Sequence, residues 1–120
     1  MKNANDLLRE YTCTEFYHKT MLPNFLATDG VLAAAEKFQC FWFIDLILSY
    51  QFRKIIRSQN LQVWRLQKID KNKFMAFCFG TDFRGDEICL IKQEIPFSDF
   101  PHDKLTYWLR DGIIFLPSEY

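Results

Sequence analysis

The chain has 120 residues, 15 basic and 15 acidic side chains, and a hydrophobic fraction of 49%. That length fits a single domain over residues 1–120 and is too short for two. Zero net charge excludes a wholly cationic nucleic-acid binder and a strongly anionic DNA mimic, but it leaves room for a local patch.

The start of the chain, Met1-Lys-Asn-Ala-Asn-Asp6, is polar, unlike the apolar stretch of a secretory signal. The longest apolar run, residues 41–48, is interrupted by Asp45 and falls far short of the ~20 residues a membrane span needs. A cytoplasmic protein without membrane contact is expected. The thirteen Phe fit a codon bias with most rings buried better than they fit a dedicated aromatic surface.

Residues 5–11 predict a short helix, capped by Asn3 or Asn5, with Leu7, Leu8 and Tyr11 on its apolar side. Residues 14–18 read as a strand or a helical turn, and Pro23-Asn24 marks irregular chain. Thr28-Asp29-Gly30 is a helix start, followed by Val31 and three consecutive alanines. A longer central helix is predicted over 41–58, with Trp42, Asp45, Ser49 and Phe52 on one face, Ile44, Leu48, Ile55 and Ile56 on an overlapping one, and Arg53, Lys54 and Arg57 in its last turns.

After Asn60 the period changes. Residues 61–69, 74–79 and 87–95 predict three strands of an antiparallel meander, joined by turns at 70–73 and 81–86. Val63 falls on one face of the first strand, Trp64 and Leu66 on the other. Pro96 ends the third strand, and 97–101 form a corner. Residues 102–110 predict a helix with Leu105, Trp108 and Leu109 inward, stopped by Gly112, and 113–116 a last short strand. The fold expected is α+β: N-terminal helices on a three- to four-stranded antiparallel meander, then a further helix and a short C-terminal strand.

Candidate chemistry is sparse. Neither His18 nor His102 lies in a nucleophile motif, and the four glycines form no phosphate loop. Cys13, Cys40, Cys78 and Cys89 contain no CxxC pair and sit among apolar neighbours, so reduced, buried thiols are expected, with no metal and no cofactor. Asp45 lies in the most apolar window, where an unpaired carboxylate would be costly. It therefore reads as a buried polar site with His18, either structural or catalytic. Residues 51–73 carry Arg53, Lys54, Arg57, Arg65, Lys68, Lys71 and Lys73 against Asp70, with Trp64 and Phe52 interleaved. Such a face could follow phosphates or meet an acidic protein. The last third holds most of the acidic residues, which predicts a charge dipole able to steer a partner or assemble into a homodimer.

Six short motifs occur in order: Tyr11-Thr-x-Thr-Glu15, Thr28-Asp-Gly30, Trp42-x-x-Asp45, Gln62-Val-Trp64, Ile95-Pro-Phe-Ser-Asp-Phe-Pro101 and Leu116-Pro-Ser-Glu-Tyr120. Together the set resembles an uncharacterised family of small bacterial proteins carried by plasmids, phages and other mobile elements, over nearly the whole chain. Members often have Gly where this chain has Cys13, which argues against a thiol role. The resemblance implies no activity. It implies a bacterial cytoplasm and a mobile-element setting, in which small proteins often bind and block a host system, CRISPR defence included.

The reading is therefore a non-catalytic small binding protein acting by protein–protein interaction on a host protein or complex, including as an anti-CRISPR-like inhibitor. One alternative is a nucleic-acid-binding accessory protein using the basic face of Arg53, Lys54, Arg57, Arg65 and Lys68 with Trp64. The other is a small enzyme with Asp45 and His18 in a cleft.

Overall fold

A computed structural model describes residues 3–12, 16–82 and 84–119. In chain order the elements are β1 (Tyr17–Lys19), β2 (Leu26–Thr28), α1 (Asp29–Phe38), α2 (Phe41–Ser49), α3 (Lys54–Arg57), β3 (Gln62–Asp70), β4 (Lys73–Thr81), β5 (Glu87–Ile95), β6 (Lys104–Arg110) and β7 (Ile113–Phe115). The class is α+β as expected, but the sheet has seven strands, in the order β1-β2-β7-β6-β3-β4-β5. Only the β2–β7 pair among these neighbours is parallel.

The meander β3-β4-β5 forms where the sequence places it. Asn72 takes a left-handed backbone with φ 56°, which closes the two-residue turn between β3 and β4. The chain then leaves β5 at the sheet edge and returns to pair β6 with the far side of β3, a Greek-key path. Its crossing segment is pinned by Ser98 N–H donating to the carbonyl of Asn72 at 2.8 Å. Phe100 is buried there, edge-on to Phe38 and Phe74.

Two expectations fail for identifiable reasons. Residues 102–110 are not a helix. Leu105, Tyr107 and Leu109 are buried in strict alternation, and β6 continues through Asp111 (φ 53°) and Gly112 (φ 77°) into β7. Two consecutive left-handed residues make a primed hairpin turn, not a helix stop. Likewise the helix predicted over 41–58 is broken. A 3-10 turn, Tyr50–Phe52, follows α2, and Arg53 is extended at φ −85°, ψ 123°. The break turns Gln51 inward. Its side-chain amide pairs reciprocally with that of Gln62 at 2.9 Å and also donates to the Ile47 carbonyl. Gln62 donates to the Ile56 carbonyl and accepts from the Trp64 indole N–H at 2.9 Å. A straight helix would leave these buried amides unpaired, at about 1–3 kcal/mol for each unsatisfied group.

The helix starts follow the sequence closely. Thr28 caps α1, accepting from Val31 N–H, and Ala34 and Ala35 are fully buried, small enough for α1 to lie close on its neighbours. At the N-terminus, Ala4–Leu8 is a 3-10 turn capped by Asn3. Asn5 there donates to the Thr106 carbonyl at 2.9 Å and accepts from Thr106 N–H at 2.7 Å. It thereby pairs the β6 edge that the short β7 does not reach.

The core lies between the helices and one face of the sheet. Trp64, Leu66, Phe74, Ala76, Cys78, Leu105, Tyr107 and Ile114 line the sheet side; Val31, Phe38, Phe43, Ile47 and Ile56 line the helical side. Phe43 stacks on Tyr107, with ring centroids 5.4 Å apart. Each such fully buried large side chain contributes roughly 1.5–3 kcal/mol relative to exposure. No helix among the described residues is long and apolar enough to cross a membrane.

Candidate functional site

Strand alternation sorts the side chains of β3, β4 and β6 into two sets. One is fully buried under the helices; the other is half-buried on the opposite face, which carries no helix among the described residues. Directly paired residues share a face, so the register writes out that second face as rows. The first row crosses five strands: Cys89, Phe79, Val63, Trp108 and Phe115. The next is Lys92, Phe77, Arg65 and Thr106, and the third Glu94, Met75, Gln67 and Lys104. An apolar, aromatic row thus lies beside two rows that carry Lys92, Arg65 and Lys104.

The geometry within these rows is ordered. Phe77 and Phe79 stack, their centroids 5.7 Å apart and planes 22° from parallel. Trp108 meets Phe115 edge-on. The Arg65 guanidinium lies over the Phe79 ring at 5.0 Å, a cation–π contact. Its Nε is buried without a hydrogen-bond partner, a state that costs about 1–3 kcal/mol. Glu94 is held by Lys73, with Nζ 3.4 Å from the carboxylate. Asp70 ends β3, and Glu87, paired with Thr81, lies on the same face in the row on the other side of the aromatic one.

The basic segment 51–73 does not form the single face expected of it. Strand alternation divides it: Arg65 points to the open face, whereas Lys68 lies over the Phe74 ring on the helical side, 3.8 Å from Asp103. Trp64 is fully buried and cannot meet a partner. Arg53, Lys54 and Arg57 are exposed around α3, with Arg53 over the Tyr50 ring at 4.9 Å and Phe52 and Ile55 exposed beside them. The Lys68–Asp103 and Lys73–Glu94 pairs join basic to acidic segments, which weakens the expected charge dipole.

The buried polar site is also corrected. Asp45 is exposed: its position on α2 turns it away from the core that Ile44, Ile47 and Leu48 enter. His18 is half-buried on β1, and its Nε2 lies 2.7 Å from Asp29, not from Asp45. A cleft of about 390 Å³ lies at one end of the sheet, lined by Asn24, Gln51, Arg57, Asn60, Gln62 and Asp111 among others. Neither Asp45 nor His18 lines it. No group of three or more metal-binding side chains converges among the described residues.

A family model matches residues 2–120, essentially the whole chain. The chain belongs to a family of unknown function, DUF6876. No curated protein matches it, and no solved structure does.

In this DUF6876 chain three of the ordered motifs meet at the start of α1. Glu119 accepts from the Thr28 hydroxyl at 2.6 Å, from Gly30 N–H at 3.3 Å and from Leu116 N–H at 2.9 Å. The Ser118 hydroxyl donates to the Tyr11 carbonyl at 2.6 Å. Gly30 leaves room for this contact, since a Cβ would come within 2.6 Å of Leu116 Cδ1 and 2.9 Å of Glu119 Oε1 and displace those side-chain ends. A carboxylate at a helix N-terminus is stabilising on its own account, so this cluster docks the C-terminal tail onto the body. Thr14, Glu15 and Tyr120 of these motifs lie outside the described residues, as does Cys13.

Sequence reasoning missed Phe77, Phe79, Lys92, Lys104 and Trp108 as surface candidates. The signal was the period-two alternation of residues 73–80 and 104–110, where every second side chain must face away from the helices.

Proposed function

We propose that this DUF6876 protein is a non-catalytic binding protein whose working surface is the helix-free face of its sheet. The observation that supports this reading is the five-strand apolar row from Cys89 to Phe115, with Lys92 and Arg65 in the neighbouring row and Lys104 in the row beyond. Contiguous apolar surface rimmed by polar groups marks interaction sites, and aromatic and Arg side chains dominate binding hot spots. A bacterial cytoplasm, a mobile-element setting and the blocking of a host system are the expected context. They rest on the ordered motifs alone.

The test is affinity capture from host lysate, with protein and nucleic acid both recovered and identified. The bait is the unaltered chain, Phe79→Ala, or Lys54→Glu on the exposed α3. A stoichiometric macromolecule retained by the first and third baits and lost with Phe79→Ala is expected. Loss with Lys54→Glu but not with Phe79→Ala would move the working surface to α3 and sink the proposal.

A further inference from the structure

We infer that the open sheet face binds single-stranded nucleic acid, with Phe77 and Phe79 stacking on bases and Arg65, Lys92 and Lys104 meeting phosphates. The inference rests on the proposed role of that face and names its partner class. Phe77 and Phe79 stand two residues apart on β4, the strand next to the β5 edge, and Trp108 is two strands from Phe79 in the same row. Strands are spaced by about 4.8 Å, so those two rings sit ~10 Å apart, far enough to engage different bases of one strand. Every base has a π-face, and aromatic side chains on a flat β surface are a recurring platform for unpaired bases.

The charges on this face favour an anionic partner. Lys92 and Arg65 flank Phe77 directly, one on each neighbouring strand, and Lys104 lies in the next row. Glu94, the acidic residue in these rows, is neutralised by Lys73. The Arg65 guanidinium lies over Phe79, so a positive charge is already placed beside an aromatic plane. Protein-binding surfaces are depleted in lysine at their centres, whereas lysines interleaved with aromatic rings match a partner that alternates phosphates and bases. A duplex hides its base faces in the stack, so the single strand is the form whose bases can meet these rings.

The test is fluorescence anisotropy with end-labelled oligo-dT and oligo-U of about 12 nucleotides, within the range of known single-strand site sizes, and a duplex of equal length. Single strands should bind more tightly than the duplex. Three phosphate contacts predict a slope of about −2 in log K against log salt. Phe77→Ala and Phe79→Ala should each weaken binding about 5- to 100-fold, and Lys92→Glu should weaken it and flatten the salt slope. Lys54→Glu should change nothing. Phe79→Leu keeps apolar bulk while removing the ring, so it separates lost stacking from lost folding, with circular dichroism checking every variant. Absence of oligonucleotide binding, a preference for duplex, or full binding by Phe79→Leu would overturn the inference. If oligonucleotides fail while a protein captured from lysate is lost with Phe79→Ala, this inference falls and the open-face reading stands. If Phe79→Ala affects neither, both fall.

Discussion

At the scale of single residues, the thiols separate by which way the strand turns them. Cys40 and Cys78 are fully buried and unpaired, as the sequence led one to expect, but Cys89 is exposed because β5 directs it to the open face. Burial pushes the Cys78 thiol from 9.0 up to about 12, helped by the neighbouring Cys89. Burial likewise raises Cys40 to about 11, with a hydrogen bond to Tyr107 acting the other way. The thiolate is the reactive species. At pH 8, therefore, a thiol reagent should modify Cys89 in the native protein, and Cys40 and Cys78 only on unfolding; mass spectrometry of the labelled peptides reads this directly. The pH dependence has a definite sign. Below pH 9 both thiols are protonated whether folded or unfolded, and their contribution is complete. Above it the unfolded chain ionises first, so stability falls as pH rises toward 11–12, at up to about 1.4 kcal/mol per pH unit for each thiol. Denaturant titrations across pH 8–11 should show that decline, and Cys78→Ala should shallow it.

At the scale of elements, turns decided where the sequence could be read correctly. Asp70 to Lys73 was legible because polar turn residues stood between two alternating runs. Asp111-Gly112 carried an equally strong hairpin signal, but Leu105, Trp108 and Leu109 also fit a helical spacing, so Gly112 read as a helix stop. Tyr107 was the discriminating residue: it alternates with Leu105 and Leu109, and it is fully buried against Phe43. The break at Arg53 was not legible, since its cause is the pairing of Gln51 with Gln62, eleven residues further along the chain. The β6–β7 turn yields a prediction. Gly112 has φ 77°, and a Cβ there would lie 2.6 Å from the Asn24 carbonyl oxygen, a backbone atom that cannot swing aside. Its own carbonyl accepts from Leu26 N–H at 2.8 Å, so the turn also holds β2. Gly112→Ala should cost about 2 kcal/mol or more, combining a left-handed residue with a backbone clash. Chemical denaturation should report that loss, while Gly85→Ala, also at positive φ but in open space, should cost less.

At the scale of the whole molecule, the open face exists only because the Greek-key return sets β6 beside β3. In sequence Trp108 lies 45 residues from Val63, yet the two are direct neighbours. Single-strand alternation could show that Phe77 and Phe79 face away from the helices, but not that a second aromatic strand would extend their row. The same topology grades stability across the sheet. β3 pairs along its length with β4 on one side and β6 on the other, both long strands. β1 has three residues and pairs with β2, itself three residues long. β5 is a nine-residue edge whose charged Glu87, Lys92 and Glu94 discourage pairing with another chain. Native-state hydrogen exchange should therefore find the amides of β3 and its two neighbours slowest, opening only with global unfolding, which for domains of this size requires about 5–15 kcal/mol. Amides of β1 should exchange at least ~100-fold faster through local fraying, equivalent to about 2.7 kcal/mol less protection. Equal protection of β1 and β3 would mean that the docked tail and the β2–β7 pairing make the seven strands one cooperative unit. The open face would then be rigid from Cys89 to Phe115. The graded result instead confines rigidity to the rows through β4, β3 and β6, where Phe77, Phe79, Arg65 and Trp108 stand.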